Sequence, residues 1–209
     1  MKIIGLVGLP GSGKGEASRV ARQQGLTVLV MGDVIRQEAD RLGLDATDGN
    51  LGRIGSALRE KEGPEAVARR VLERAVASGE DTVVVDGLRS REEADYFATH
   101  AQQFHLVEIC APAEERLRWL QTRGRPDDPG RSRAGTGRDQ DEKIISSCAE
   151  PDGLAAAALE HRECREMGWG MSQAIEAASL KLINDGSLEE FRENFRRLLD
   201  ILAQDCNDE

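Results

Sequence analysis

The sequence predicts an α/β protein in which five parallel strands form one sheet with helices on both of its faces. Five short apolar runs alternate along the chain with segments of helical periodicity, an order that is typical of parallel sheets. The first run, at residues 3–7, leads into a glycine-rich segment at residues 8–15, and a helical pattern follows it. A chain of 209 residues is near the upper end of one domain. We therefore predict a single domain over residues 1–209.

The predicted strands are short and apolar, as expected for strands that are buried on both faces. The first contains Ile3, Ile4, Leu6 and Val7. The other four lie at residues 26–31, 82–85, 105–110 and 180–183. Because a ligand of an open parallel sheet sits beyond the carboxyl ends of the strands, the residues after each run are the candidates for a site.

The predicted helices rest on start and stop signals in the sequence. A helix over residues 15–24 is stopped by Gly25, and another begins at Pro64. Capping boxes, in which a serine is followed three residues later by glutamate, start two more helices at Ser90 and Ser187. In the last helix the apolar residues recur at helical spacing, which predicts core packing. These residues are Leu188, Phe191, Phe195, Leu198, Leu199 and Leu202.

Residues 124–153 have no sustained periodicity, and a helical pattern resumes over residues 154–166. An irregular stretch of this length inside a compact domain is typical of a functional lid or of a disordered insertion. We predict a lid over about residues 123–168 that includes an insertion. Arginines at both ends could close over a polyphosphate, and an exposed, charged insertion is the alternative.

The segment Gly8-Leu9-Pro10-Gly11-Ser12-Gly13-Lys14-Gly15 has the composition of a phosphate-binding loop. Backbone N–H groups of such a turn point into one concavity, and the following helix adds its partial positive charge. Lys14 can reach the outer phosphates of a nucleotide. Most such loops place serine or threonine after the lysine, where this chain has Gly15. The predicted nucleotide-binding residues are Gly8, Pro10, Gly11, Ser12, Gly13, Lys14, Gly15 and Glu16.

Two further motifs follow the second and third apolar runs. The first is Gly32-Asp33-Val34-Ile35-Arg36, and the second is Asp86-Gly87-Leu88-Arg89. Both are predicted to lie on the same sheet edge as the phosphate loop. Planar guanidinium groups suit phosphate, so Arg36 and Arg89 are candidates for a second phosphate site. Asp33 could alternatively only cap a helix that starts at Val34.

These motifs together resemble those of adenylate kinases, which are nucleoside monophosphate kinases with a P-loop. The chain resembles still more an archaeal family related to adenylate kinases, through Val-Met-Gly-Asp-Val-Ile-Arg, Val-Val-Asp-Gly-x-Arg, Arg-Gly-Arg-x-Asp-Asp-Pro and a segment of the type Gly-Trp-Gly-Met. The matches span almost the whole chain except residues 130–153. The resemblance implies a three-layer P-loop kinase fold with a mobile lid, ATP and Mg²⁺ as cofactors, and an acceptor-binding region over about residues 32–78.

The resemblance also implies roles for individual residues. It assigns Arg36 and Arg89 to the phosphate of the acceptor nucleotide and Asp86 to the neighbourhood of the metal. The predicted substrate-binding residues are therefore Gly32, Asp33, Arg36, Asp86, Gly87 and Arg89. Glu16 stands where the family has a threonine near the metal, so it could hold a magnesium-bound water. A favourable charge in the first helical turn is the alternative for Glu16.

The predicted reaction is phosphoryl transfer, in which catalysis consists mostly of alignment and charge neutralisation. The predicted catalytic residues are Lys14, Asp33, Arg123 and Arg162. If the acceptor is a nucleoside monophosphate such as AMP, it needs no general base, because its oxygen is mostly ionised at neutral pH. If the acceptor is a sugar hydroxyl, as in dephospho-coenzyme A kinase, Asp33 would accept the proton. A nucleotide-binding regulatory module that senses AMP or ATP, or a slow ATPase, is the third alternative.

Composition argues against several other classes. The net charge of −10 argues against a nucleic-acid partner. The four cysteines have neither metal-ligand spacing nor a disulfide-dense pattern. No signal peptide is evident at the start and no apolar run has the length of a membrane span, so we expect a cytoplasmic protein that binds small nucleotides. The oligomeric state stays open.

Overall fold

The computed structural model describes residues 1–123 and 151–204, apart from the side chains of residues 123, 151–155 and 204. The strands are β1 Lys2–Val7, β2 Thr27–Val30, β3 Thr82–Leu88, β4 Gln103–Cys110 and β5 Leu180–Ile183. The helices are α1 Lys14–Gln23, α2 Met31–Arg41, α3 Asp48–Glu62, α4 Ala66–Ser78, α5 Arg91–His100, α6 Ala113–Arg123, α7 Pro151–Gly168, α8 Met171–Glu176 and α9 Leu188–Gln204.

The five strands form one parallel sheet in the order β2-β3-β1-β4-β5, which confirms the predicted class. β1 lies at the centre, and its six residues are all buried. Its side chains alternate between two apolar cores, as the two-residue period of a strand requires. Ile3 and Val7 pack with α2, α4 and α5, whereas Ile4 and Leu6 pack with α1 and α9. Helices therefore cover both faces of the sheet.

The third strand differs from its prediction where it enters the site. β3 continues to Leu88, so Asp86 and Gly87, which were expected to follow the strand, lie within it. Leu6 of β1 is paired with Asp86, but Val7 is paired with Leu88, which leaves Gly87 as an extra residue. Gly87 has a φ of +95°, a conformation that favours glycine. The resulting β-bulge separates Asp86 from the residues that follow it.

The helix starts are confirmed where a capping box predicted them. The Ser90 hydroxyl accepts a hydrogen bond from the Glu93 N–H, and Ser187 and Glu190 cap each other reciprocally. The suggestion that Asp33 caps a helix starting at Val34 is wrong, because α2 begins at Met31 and Asp33 lies in its first turn. Because β2 ends at Val30 and α2 begins at Met31, no loop residue lies between them that could cap the helix.

Three helices, α3, α6 and α8, were not individually predicted. α3 carries three glycines, which are weak helix formers, and its apolar residues do not form a strong stripe. It is fixed by tertiary packing and by the Thr47 hydroxyl, which accepts from the Asn50 N–H at 3.3 Å. α8 has six residues and no side-chain cap, so its sequence signal is short.

The predicted lid is described only in its last part. Its helix over residues 154–166 is confirmed within α7, whereas residues 124–150, which include most of the expected insertion, lie outside the described residues. Over the parts of the chain that are described, no helix combines the length and the apolar character that crossing a membrane would need.

Candidate active site

The phosphate loop connects β1 to α1 in a backbone conformation that requires glycine. Gly8, Gly11 and Gly13 have φ values of +146°, +81° and +112°. A Cβ at Gly8 would lie 2.1 Å from the Ile109 carbonyl oxygen, and one at Gly13 would lie 2.5 Å from Asn184 Nδ2. Side chains are therefore excluded by both conformation and space.

The carbonyl groups of the loop are bound by surrounding side chains. Asn184, directly after β5, donates from Nδ2 to the Ser12 carbonyl at 3.0 Å, and Arg116 of α6 donates to the Pro10 carbonyl at 3.1 Å. The start of α1 has no side-chain cap; the Glu16 N–H donates to the Gly13 carbonyl at 2.9 Å, which leaves the N–H groups of the first residues of α1 free of intrahelical bonds. The Ser12 hydroxyl is buried without a hydrogen-bond partner. These donors suit a bound phosphate.

Lys14 lies at the centre of this loop. Its ammonium group donates to the carbonyl oxygens of Gly8 and Leu9, the latter at 3.0 Å. Burial lowers the pKa of Lys14 to about 8, although the negative charges of Asp86 and Glu166 act in the opposite direction. An anion placed against Nζ would offset this desolvation.

A cavity of about 830 Å³ opens at the carboxyl ends of the strands. All eight residues that were predicted to bind the nucleotide line it. The acceptor-side residues Gly32, Arg36, Asp86, Gly87 and Arg89 line it as well, together with Arg162. The structure thus brings two groups of predicted residues, separated along the chain, around one space.

Two predicted catalytic residues stand apart from this set. Asp33 does not line the cavity, and its carboxylate is half-exposed and paired with Arg36 at 2.6 Å. Arg123 ends α6, and its side chain is outside the described residues. Their catalytic roles remain predictions.

Asp86 is buried at the base of the cavity, with 8 % of its surface exposed. Its Oδ2 accepts a hydrogen bond from the Ser18 hydroxyl of α1 at 2.8 Å. A carboxylate is the type of ligand that Mg²⁺ takes in phosphoryl-transfer sites, where substrate phosphates supply other ligands. In the described parts of the chain no group of three or more His, Cys, Asp or Glu side chains could hold a metal ion. Asp86 fits a metal that is held largely by nucleotide phosphates.

The acceptor side of the cavity is rich in arginine. Arg36 folds back over Gly32, where an added Cβ would lie 3.2 Å from Nη1. Arg89 has its backbone N–H bonded to the buried Glu93 carboxylate at 2.7 Å. Burial lowers the pKa of Arg89. The Arg89 side chain lines the cavity.

Trp169, which follows α7, contacts three arginines next to the acceptor side of the cavity. Its ring centroid lies 4.6 Å from the guanidinium of Arg59, 5.6 Å from that of Arg89 and 5.7 Å from that of Arg165. The indole N–H donates to the Ser56 hydroxyl of α3 at 3.2 Å. Trp169 is therefore a packing anchor that fixes Arg89 through a cation–π contact.

Glu166 of α7 is a site residue that the sequence reasoning missed. It lines the cavity with only 3 % of its surface exposed. Its carboxylate lies 3.1 Å from Arg162 Nε and 3.3 Å from Arg89 Nη2. Burial alone would raise the pKa of Glu166, but the charges of Arg89, Arg162 and Lys14 hold it below its ordinary value. The sequence signal for this residue is the four-residue spacing of Arg162 and Glu166, which favours an ion pair on one face of a helix.

Glu16 is engaged by two arginines. Its carboxylate accepts from Arg19 Nη2 and from Arg192 Nε of α9, both at 2.6 Å. The hydrogen bonds from Arg19 are the main cause that lowers the pKa of Glu16, and Arg192 adds to them. Glu16 thus ties α1 to α9 at the edge of the cavity, and its predicted contact to a metal-bound water stays a prediction.

Comparison with known proteins identifies the family. A family model described as an AAA domain matches residues 7–132. A UPF0200 protein of Methanothrix thermoacetophila is 47 % identical over 204 residues, covering 98 % of this chain and 100 % of that protein. A UPF0200 protein of Methanoculleus marisnigri is 40 % identical and covers 95 % of this chain and 96 % of its own. The chain belongs to the UPF0200 family.

Solved structures place this UPF0200 protein among P-loop kinase folds. The structure titled TT1252 from Thermus thermophilus superposes with a TM-score of 0.60 at 20 % identity, covering 96 % of this chain and 97 % of that one. Shikimate kinase from Bacteroides thetaiotaomicron superposes with a TM-score of 0.54 at 14 % identity, covering 95 % and 98 %. The predicted P-loop kinase fold and the resemblance to an archaeal family are both confirmed.

Proposed function

We propose that this UPF0200 protein is a magnesium-dependent kinase that transfers the γ-phosphoryl group of ATP to a nucleoside monophosphate, with AMP as the first candidate. The observation that carries the proposal is one cavity that is lined by the phosphate loop and by Arg36, Arg89 and Arg162. Donor and acceptor phosphates would meet between these two groups.

The donor half supports ATP through its loop. The uncapped start of α1, the buried Ser12 hydroxyl and the Lys14 ammonium provide donors for a polyphosphate. Magnesium, when bound, would neutralise charge on the phosphates, and Asp86 is the carboxylate that would hold it. Lys14 would exchange its contacts with the loop carbonyls for phosphate oxygens.

The acceptor half supports an anionic acceptor. Arg89 is fixed before any ligand binds, by Glu93 at its backbone and by Trp169 at its guanidinium. Such preorganised cations stabilise the charge that spreads over the transferred phosphoryl oxygens at little reorganisation cost. The acceptor region would comprise about residues 32–78, and the lid about residues 123–168 would supply Arg162.

A monophosphate acceptor is favoured over a sugar hydroxyl by the position of Asp33. A general base must be within hydrogen-bond reach of the proton that it accepts. Asp33 does not line the cavity and is paired with Arg36 instead. A monophosphate needs no such base because its oxygen is already ionised.

The direct test is an assay of the purified protein with ATP, Mg²⁺ and each nucleoside monophosphate in turn, with ADP and the nucleoside diphosphate as the measured products. We expect turnover with at least one monophosphate. Tight AMP binding with no turnover of any monophosphate would contradict the kinase proposal and would favour a regulatory nucleotide-binding module.

A matched pair of variants on α2 tests the acceptor site. Arg36 and Arg41 both pair with an acidic residue three positions earlier, but only Arg36 lines the cavity. Because lysine cannot reproduce two parallel hydrogen bonds to phosphate, Arg36→Lys should raise the acceptor KM by about tenfold. Arg41→Lys should leave the acceptor KM unchanged. Equal effects of the two substitutions would contradict the assignment of Arg36.

A further inference from the structure

The phosphate loop of this chain lacks the hydroxyl with which the loops of many P-loop NTPases bind the metal. In P-loop NTPases the metal is held by a loop serine or threonine and by a strand aspartate. Gly15 stands at the loop position here, and Glu16 is occupied by two arginines. The strand aspartate, Asp86, is present and buried in the cavity.

A hydroxyl from elsewhere contacts that aspartate. Ser18 lies one helical turn after Lys14, so both side chains are on one face of α1. Ser18 is 2 % exposed, and its Oγ donates to Asp86 Oδ2 at 2.8 Å. A hydroxyl carries one proton and fills one acceptor position of a carboxylate that has about four. The remaining positions of Asp86 stay available to a cation or its waters.

Burial makes this hydrogen bond consequential for the orientation of Asp86. A carboxylate whose partner is removed in a buried site must be satisfied by another donor or turn towards solvent. The bulge at Gly87 begins directly after Asp86, so the neighbouring backbone on that side is not held by regular pairing with β1. The side-chain contact across to α1 is then a second constraint on the carboxylate.

We propose that Ser18 is a positioning residue that holds the Asp86 carboxylate for the magnesium ion of the bound nucleotide, in a site where Gly15 offers the metal no loop hydroxyl. This inference rests on the proposed function for its use of ATP and magnesium. Ser18 lies outside the loop motif, at a helical position that belongs to none of the predicted motifs.

The test is the dependence of ATP binding on Mg²⁺, measured by calorimetry without any acceptor. One set of titrations contains EDTA and the other contains saturating Mg²⁺. In the native protein Mg²⁺ should strengthen ATP binding. In Ser18→Ala that strengthening should fall by about tenfold, the effect of one lost hydrogen bond to a charged group, while metal-free ATP affinity stays within about twofold.

Restoring a hydroxyl at the usual place gives the matched control. Gly15 lies in the first turn of α1, so its helical backbone conformation does not require glycine. The double variant Gly15→Ser, Ser18→Ala should recover most of the magnesium dependence. Should Ser18→Ala fail to fold, as judged by thermal unfolding, Ser18→Cys carries the same test, because a thiol is a weaker donor of similar size.

The outcomes separate this inference from the kinase proposal. Ser18→Ala with native magnesium dependence would overturn the inference, and so would an equal loss of metal-free and magnesium-bound ATP affinity. An ATP affinity of the native protein that is the same with EDTA and with saturating Mg²⁺ would overturn the inference as well. Absence of turnover with every monophosphate would contradict the kinase proposal and leave these binding results to decide the role of Ser18.

Discussion

Nucleotide binding should take up a proton at alkaline pH, because burial lowers the pKa of Lys14 to about 8 in the free protein. Polyphosphate against Nζ favours the charged form and so returns the pKa to about 10 or higher. Above about pH 8, Lys14 is mostly deprotonated in the free protein, whereas it stays protonated in the complex. Binding then draws a proton from solution, and the apparent affinity for nucleotide falls as the pH rises through about 8.

The magnitude follows from the two pKa values. At about pH 8.5 binding should take up roughly three quarters of a proton, and at about pH 7 roughly one tenth, given the free pKa of about 8. The apparent ATP affinity should be about tenfold weaker at about pH 9 than at about pH 7. The phosphates of ATP add no uptake at the higher pH, because their second pKa is about 6 and they are already ionised.

Isothermal titration calorimetry in buffers of different ionisation enthalpy measures this uptake directly. The slope of the binding enthalpy against the ionisation enthalpy of the buffer gives the number of protons. Lys14→Arg is the matched control, because arginine stays protonated in both states and the slope should vanish. A binding enthalpy of the native protein that is independent of buffer at about pH 8.5 would refute the role given to Lys14.

Three further predictions concern single residues. Gly13→Ala should abolish ATP binding in the same titration, since its Cβ would lie 2.5 Å from Asn184 Nδ2 and its φ is +112°; a variant that binds ATP normally would contradict the loop geometry. Glu93→Gln should lower the free energy of unfolding in urea by about 3 kcal/mol, because it removes the buried carboxylate that pairs with Arg59 at 2.6 Å; a loss below about 1 kcal/mol would contradict this. Asp33→Asn should change kcat by less than about tenfold with a monophosphate acceptor, whereas near-total loss of kcat with unchanged acceptor affinity would point to a hydroxyl acceptor.

The parts of the site that the sequence predicted are those encoded locally. The loop from Gly8 to Gly15 carries its conformation in its own glycines, and Arg36 and Arg89 follow their strands at short distances. Parallel strands bring such segments to one edge whatever the details of packing. The prediction therefore needed only the order of the elements.

The parts that were missed depend on contacts between residues far apart in the chain. Ser18 and Asp86 are 68 residues apart, and Arg165 and Asp48 are 117 apart. In the sequence Ser18 is an ordinary helical serine, and Glu166 is one charge in a charged helix. Only the tertiary packing of α7 makes Glu166 buried and places its carboxylate against Arg89. Composition and periodicity do not contain that information.

The charged residues of α7 link the two halves of the site. Glu163 pairs with Arg116, which also binds the Pro10 carbonyl of the phosphate loop. Arg165 binds Asp48 at the start of α3 with two hydrogen bonds of 2.8 and 2.9 Å. The same helix therefore contacts the donor loop on one side and the acceptor region on the other.

Partly buried ion pairs of this kind contribute little net free energy, because desolvation offsets most of the attraction. Removing one partner is costly nonetheless, since the other charge is then left unpaired in a low dielectric. The pairs on α7 thus determine where the helix lies more than how stable the protein is. Arg162, one residue before Glu163, is held at the cavity by this same arrangement, and a shift of α7 would move it relative to both phosphate sites.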